Sequence, residues 1–430
     1  MRTRIRRPRS GAVAVALAAV AGLLLSLTGM GQVAHAATGL HVSDGRLLEG
    51  NGNDFVMRGV NHAHTWYPER TGALADIKEK GANTVRVVLS SGDRWTRTSA
   101  SEVSGIVAEC RKNRLICVLE VHDTTGYGED GAAATLDEAV DYWTGIRSVL
   151  EGQENHVVIN LGNEPYGNTG HARWTADTSA AVGRMRSAGF GHALMVDAPN
   201  WGQDWSGTMR SNAASVFASD PDRNTVFSIH MYGVYDTAAE VRDYLGAFVS
   251  AGLPIVVGEF GDNHSDGNPD EDAIMATAQS LRLGYLGWSW SGNGSGVEYL
   301  DLVNGFDAGS LTGWGDRLFN GANGIVATAE EATVYGGGGG DGGGDGGGTA
   351  PNGYPYCVRG SASDPDGDGW GWEDSRSCVV KGGRADGAAG GGTAPNGYPY
   401  CVRGSASDPD GDGWGWEDSR SCVVKGGRAD

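Results

Sequence analysis

The chain has 430 residues, enough for one large domain with smaller ones attached. Its 53 acidic against 33 basic side chains give a formal net charge of −20. A surface of that sign argues against nucleic acid and against anionic membrane surfaces as partners, and it is compatible with a neutral polymer.

Arg2, Arg4, Arg6, Arg7 and Arg9 make a basic start, an apolar run covers 11–30, and Ala34-His35-Ala36 forms a small-x-small cleavage site. Residues 1–36 therefore read as a secretory signal, with the mature chain beginning at Ala37 and an extracellular destination. A membrane anchor is an alternative, because the apolar run is near spanning length. Twin-arginine export from Arg6-Arg7 is another, although the residues that follow fit it poorly. No later segment is long and apolar enough to span a membrane.

Residues 37–335 read as one unit in which apolar, β-branched runs alternate with amphipathic stretches. Strands are expected at 55–61, 84–90, 115–123, 157–165, 192–199, 225–232, 254–260 and 285–291. Helices are expected in ALADIKEKG, LDEAVDYWTGIRSVL, AAEVRDYLGAFVSAG and DEDAIMATAQSLR. Near-continuous apolar strands between such helices indicate a parallel sheet covered on both faces. Eight units of this kind indicate an α/β fold, a (β/α)8 TIM barrel. An open doubly wound sheet is the alternative, but no glycine fingerprint follows the first strand.

The remainder is linker and duplication. Residues 336–348 and 387–392 are glycine-rich and read as flexible coil. Segments 349–386 and 393–430 are identical, so two small disulfide-stapled, β-rich modules are expected. For the six cysteines of a secreted chain, nearest-neighbour pairing is the simplest arrangement, joining Cys110 to Cys117, Cys357 to Cys378 and Cys401 to Cys422. Many other connectivities are open. Each copy concentrates aromatic rings: Tyr354, Tyr356, Trp370 and Trp372 in the first, Tyr398, Tyr400, Trp414 and Trp416 in the second. In an extended strand the two indoles of Trp-Gly-Trp share one face, which suits stacking on a polysaccharide. The alternative is that they make the small core. The DPDGDG run invites a calcium reading. An EF-hand loop, however, requires a carboxylate where Ser375 and Ser419 stand, so the aspartates read as turn-formers.

The strand ends carry the chemistry. Arg86 lies on the second strand, His122-Asp123 ends the third and Asn163-Glu164 the fourth. His230 and Tyr232 end the sixth, Glu259 the seventh, and Trp288 and Trp290 lie on the eighth. A lone glutamate in such a place is more often a cap or an ion-pair partner. A barrel, however, would gather all of these residues on its catalytic rim. Two facing carboxylates, one protonated and one ionised, are the equipment for glycosidic cleavage. Arg86 would keep the nucleophile ionised and Tyr232 would orient it. Asn163 would bind a sugar hydroxyl and Trp290 would stack on a pyranose face, a role for which Trp288 competes.

The stretches MRGVNHAHTWY, NTVRVVLSSG, CVLEVHDTTGYGED, VVINLGNEPYGN, VDAPNWGQDW, FSIHMYGVY, VVGEFGDNH, WSWSGNG and WGDRLFNGANGI resemble the bacterial, actinobacterial-type β-mannanases of glycoside hydrolase family 5. The resemblance implies an endo-β-1,4-mannanase that acts on mannan, galactomannan and glucomannan by a retaining mechanism, with no metal or other cofactor. It implies Glu164 as the acid/base and Glu259 as the nucleophile. Arg86, Asn163, His230, Tyr232 and Trp290 match supporting residues, and His122 and Trp201 match cleft positions. The same family holds endo-β-1,4-glucanases, which is the alternative activity. A non-catalytic polysaccharide-binding barrel is a third reading, and it would need a lost glutamate. The repeats resemble family 10 carbohydrate-binding modules through GYPYC, DGWGWED and RSCVV, which implies cellulose as their partner. They lack an N-terminal stretch of the longer members. A monomer is the expected state.

Overall fold

The computed structural model describes residues 39–294, 296–336, 356–357, 369–373, 376–380, 401, 407–408, 411–417, 420–425, 428 and 430. The expected signal, 1–36, and the linker at 387–392 lie outside them. No described helix is long and apolar enough to cross a membrane.

A hairpin of β1 (His41–Ser43) and β2 (Arg46–Leu48), not foreseen in the sequence, precedes the barrel. Eight strands follow: β3 (Arg58–His62), β4 (Thr84–Leu89), β5 (Ile116–Val121), β6 (Val157–Asn160), β7 (Leu194–Asp197), β8 (Thr225–Met231), β9 (Ile255–Phe260) and β10 (Gly284–Gly287). They close in the order β10-β3-β4-β5-β6-β7-β8-β9. The parallel pairing of Tyr285 with Arg58 is the seam that makes this a barrel and excludes the open sheet.

The α-helices are α1 (Ala73–Glu79), α2 (Ala100–Lys112), α3 (Leu136–Gly145), α4 (Arg147–Leu150), α5 (Trp174–Ser187), α6 (Thr208–Ser219), α7 (Ala238–Ser250), α8 (Glu271–Leu281), α9 (Gly313–Asn320) and α10 (Ile325–Thr328). The expected single helix over 136–150 is broken at Ile146, whose φ of −110° leaves the helical region. Capping boxes start α2 (Ser99 with Glu102) and α3 (Thr135 with Glu138), where a side-chain oxygen and a carboxylate satisfy backbone N–H groups that the first helical turn leaves unpaired.

Strand alternation decides which side chains reach the barrel axis. On β5, Ile116 and Val118 pack inside with Val158, Met195, Val226, Val256 and Leu286. Cys117, Leu119 and Val121 pack outward with residues of the helices. The next inward position above Val118 is Glu120, buried at the catalytic end.

Two expectations about cysteines resolve differently. Cys110, in the last turn of α2, and Cys117, on β5, are free buried thiols rather than a disulfide. Burial and the neighbouring Cys110 thiol push the Cys117 thiol far up, so it supplies no thiolate for exchange. Cys357 and Cys378 are bonded as expected, and Cys401 is also disulfide-bonded. The Cys422 side chain lies outside the described residues.

The modules contain two strand pairs in the same register: β11 (Trp370–Glu373) with β12 (Arg376–Val379), and β13 (Trp414–Glu417) with β14 (Arg420–Val423). Trp370 is half-buried against Val379, so it contributes to the small core, whereas Trp414 is exposed. Tyr354, Tyr398 and the side chains of Trp372 and Trp416 lie outside the described residues. The Asp408 carboxylate accepts the N–H groups of Asp412 and Gly413, and Asp412 accepts that of Trp414, as turn-forming aspartates do.

Candidate active site

Arg86 is the centre of the site. It is fully buried on β4, and all five guanidinium N–H groups are used. Nε donates to Asn160 (2.8 Å), one terminal nitrogen to Asn61 (2.9 Å) and Glu259 (2.7 Å), and the other to Asn163 (2.7 Å) and Asp197 (3.1 Å). Glu120 stands 3.8 Å away. Burial opposes the charge, but the carboxylates of Glu120, Asp197 and Glu259 outweigh it and raise the pKa of Arg86. The Asn163 oxygen accepts from Arg86 and its amide donates to Thr125 at 2.8 Å, so this buried residue fastens the rim.

Glu259 reaches the axis through a bulge. On β9, Ile255 and Val257 pack outward and Val256 inward, so simple alternation would turn Glu259 outward. The register with β8 slips between Ile229 and His230, and Glu259 pairs with His230. The extra residue is Gly258, where a Cβ would lie 2.2 Å from the Ser228 hydroxyl. Bulges commonly re-aim a side chain beside a site in this way. Tyr232 donates to Glu259 Oε2 at 3.0 Å, while Arg86 holds Oε1. Burial and the facing Glu164 push the pKa of Glu259 up, against the pull of His230 and Arg86. Burial and the two glutamates raise the Tyr232 phenol, so it remains a donor.

Glu164 follows β6 in a left-handed backbone conformation (φ 40°), 9 % exposed. A non-glycine residue held there costs on the order of 1–3 kcal/mol, which the surrounding contacts must offset. Its carbonyl accepts from Gly126 and its N–H points to Asp197. His230 Nδ1 lies 2.7 Å from Glu164 Oε1 and 3.5 Å from Glu259 Oε2, and its Nε2 lies 3.3 Å from Asp197. Burial disfavours its charge, but Glu259 and Asp197 dominate and raise the imidazole to about 10. A pKa raised that far keeps His230 cationic at neutral pH, with Nδ1 donating to Glu164 and Nε2 facing the Asp197 carboxylate.

Oxygens of Glu164 and Glu259 and a nitrogen of His230 lie within 4.8 Å of one another, a donor set that could hold a metal ion. Arg86 and protonated His230 already supply positive charge there, which disfavours a further cation.

One wall of the cleft is aromatic. His122, bonded through Nδ1 to Glu120 (2.9 Å), stacks on Trp288 with centroids 5.6 Å apart, and it meets the rings of Trp66 and Trp95. Burial lowers the pKa of His122, but Glu120 overcomes this and raises it. Trp290 does not join this wall. It is fully buried and packs edge-on against Phe319 of α9, in the layer between barrel and helices. Trp288, by contrast, is half-buried in this wall, with its indole N–H held by Asn293. Trp201 lies against the backbone of two rim loops, where a Cβ on Gly126 or Gly167 would meet its ring at 2.5 or 3.0 Å.

The sequence reading missed Asn61, Glu120, Asn160 and Asp197, and the rings of Trp66 and Trp95. Inward parity on β3, β5 and β6 was the available signal for the first three.

A family model described as cellulase (glycosyl hydrolase family 5) matches residues 48–294, and one described as a cellulose or protein binding domain matches 347–380 and 391–424. The chain is 73% identical over 370 residues to a mannan endo-1,4-beta-mannosidase of Streptomyces lividans, covering 85% of this chain and 95% of that protein. It is 54% identical over 364 residues to a mannan endo-1,4-beta-mannosidase of Cellvibrio japonicus, covering 83% of this chain and 84% of that one. A mannohexaose complex of a Thermomonospora fusca beta-mannanase has a TM-score of 0.68 at 61% identity, covering 70% of this chain and 100% of that one.

Proposed function

The chain belongs to glycosyl hydrolase family 5, and from that premise we propose that it is a secreted, monomeric endo-β-1,4-mannanase acting on mannan, galactomannan and glucomannan with retention of configuration. The observation that carries the reading is the carboxylate pair. Oxygens of Glu164 and Glu259 approach within 4.8 Å, near the separation of ~5–5.5 Å that leaves room for a nucleophile and an acid but not for an intervening water. The relatives named above supply the sugar.

In the first step Glu259 attacks the anomeric carbon. The bond to the leaving oxygen breaks, and Glu164 gives that oxygen its proton. Because His230 engages Glu164 Oε1, the transferred proton sits on Oε2. Arg86 and Tyr232 hold one oxygen each of Glu259, fixing its orientation. In the second step Glu164, now a carboxylate, takes a proton from water. The water oxygen attacks the anomeric carbon and frees Glu259. Preorganised charge of this kind costs little rearrangement as the transition state forms.

The two C-terminal modules, matched by a cellulose or protein binding model, are read as cellulose anchors that keep the enzyme on cell wall. Two linked modules raise apparent affinity through effective concentration when both engage one surface. The test is a panel of initial rates. Locust bean gum should be cleaved with release of mannooligosaccharides, and carboxymethylcellulose slowly or not at all. The reverse order would make the enzyme an endoglucanase. Glu259→Ala should abolish release, and full activity in that variant would sink the mechanism.

A further inference from the structure

We propose that Trp205 is the stacking platform for the leaving part of the polysaccharide, beyond the scissile bond on the Glu164 side. The proposal rests on the mannanase reading above for the identity of the sugar.

Trp205 is 52 % exposed, the most exposed tryptophan among the described residues. Its indole N–H donates to Asn168 Oδ1 at 3.0 Å, and its ring meets His171 edge-on with centroids 5.8 Å apart. The large apolar face is therefore left to solvent while the ring is held in place. Such a fixed flat surface stacks on a pyranose with little ordering cost.

The loop that presents it is equally fixed. Asn200, Trp201, Gly202 and Asp204 adopt left-handed backbone angles, with φ of 59°, 55°, 70° and 49°. The Gly202 carbonyl accepts the His230 N–H at 2.9 Å, and a Cβ on Gly202 would sit 2.5 Å from the His230 ring. The Asp204 carboxylate accepts from the N–H groups of Met209 and Arg210 and from the Tyr244 hydroxyl (2.8, 2.9 and 2.7 Å). Gln203 ties the loop to Asp266 at 2.8 Å.

The side of the cleft follows from the chemistry. The acid protonates the leaving oxygen, so the leaving segment lies beside the loop that carries the acid. Asn168, which holds the indole, lies on that loop after Glu164. The other aromatic surface, Trp66, Trp95, His122 and Trp288, gathers around the end of β5 and the segment after β10 and is left for the retained sugars.

The experiment compares mannohexaose with 4-nitrophenyl β-mannobioside, whose aryl leaving group does not extend along the leaving-side cleft. Trp205→Ala should lower kcat/KM on mannohexaose about tenfold relative to the aryl substrate, chiefly through KM, and should change which internal bond is cut. Trp205→Phe should restore most of the lost ratio. An unchanged ratio and cleavage pattern, or an equal fall on both substrates, would overturn the assignment. If the wild type cleaves cellohexaose and not mannohexaose, the sugar reading alone fails, and the same ratio is then read with the cello-substrates.

Discussion

Tyr232→Phe isolates one contact of the proposed nucleophile. The substitution removes the hydroxyl that donates to Glu259 Oε2 at 3.0 Å and nothing else of comparable size. The ring remains stacked on His264, with centroids 4.3 Å apart, and Arg86 still holds Oε1 at 2.7 Å. A hydrogen bond to a charged acceptor contributes about 1.5–3 kcal/mol. Lost from the orientation of the attacking carboxylate, that is a fall of about 10- to 150-fold in kcat/KM. The hydroxyl also favours the ionised form of Glu259, so its loss raises an already elevated pKa further and moves the acidic limb of the pH–rate profile to higher pH. The assay is initial rates on soluble mannan over a pH series, with a thermal melt to show that the fold is intact. Wild-type kcat/KM and an unmoved acidic limb in a folded variant would refute the idea that Tyr232 orients the nucleophile.

Trp288→Ala should weaken substrate binding with little change in thermal stability, and Trp290→Ala should cost about 3–5 kcal/mol of stability by opening a cavity beside Phe319. Kinetics paired with denaturant melts check this, and a stable Trp290→Ala protein defective only in binding would reverse the two roles. The raised pKa of His230 (from 6.5 to about 10) gives stability fully present below about pH 6.5 and lost as pH climbs to about 10. The lowered pKa of Asp197 (from 3.8 to about 2) gives stability present above about pH 4 and lost toward pH 2. Wild-type melting temperature should therefore decline on both sides of this window, and His230→Gln should flatten the alkaline decline; an equally steep decline in that variant would contradict the assignment. Cys110 and Cys117 should be silent to a thiol reagent in the native protein and titrate once it is unfolded in denaturant, whereas no free thiol after unfolding would show them bonded.

The barrel was legible because most of its strands are near-continuous apolar runs, such as TVRVVL, ICVLEV and IVVGEF, and burial on both faces requires such runs. Glu164 and Glu259 were legible from their places at the ends of those runs, although strict alternation misplaces Glu259. Only the bulge at Gly258 turns it inward, and no local pattern announces a register slip set by the neighbouring strand. Trp288 and Trp290 lie two residues apart, so strand periodicity predicts one shared face. The chain leaves β10 at Gly287, and beyond that point the strand rule no longer applies. Glu120 and Asp197 read as ordinary strand residues, since their importance lies in burial around a guanidinium contributed by another strand. The expected pairing of Cys110 with Cys117 failed, while that of Cys357 with Cys378 held. Closeness in sequence suggested the bond, but the two side chains are buried and free.

The most direct test of the paired-glutamate mechanism is the configuration of the first product. Proton NMR of mannohexaose during the first turnovers should show the β-anomer of the new reducing end appearing first and the α-anomer growing only by mutarotation. Initial appearance of the α-anomer would mean that water, not Glu259, attacks the sugar, and would contradict the roles assigned to the pair.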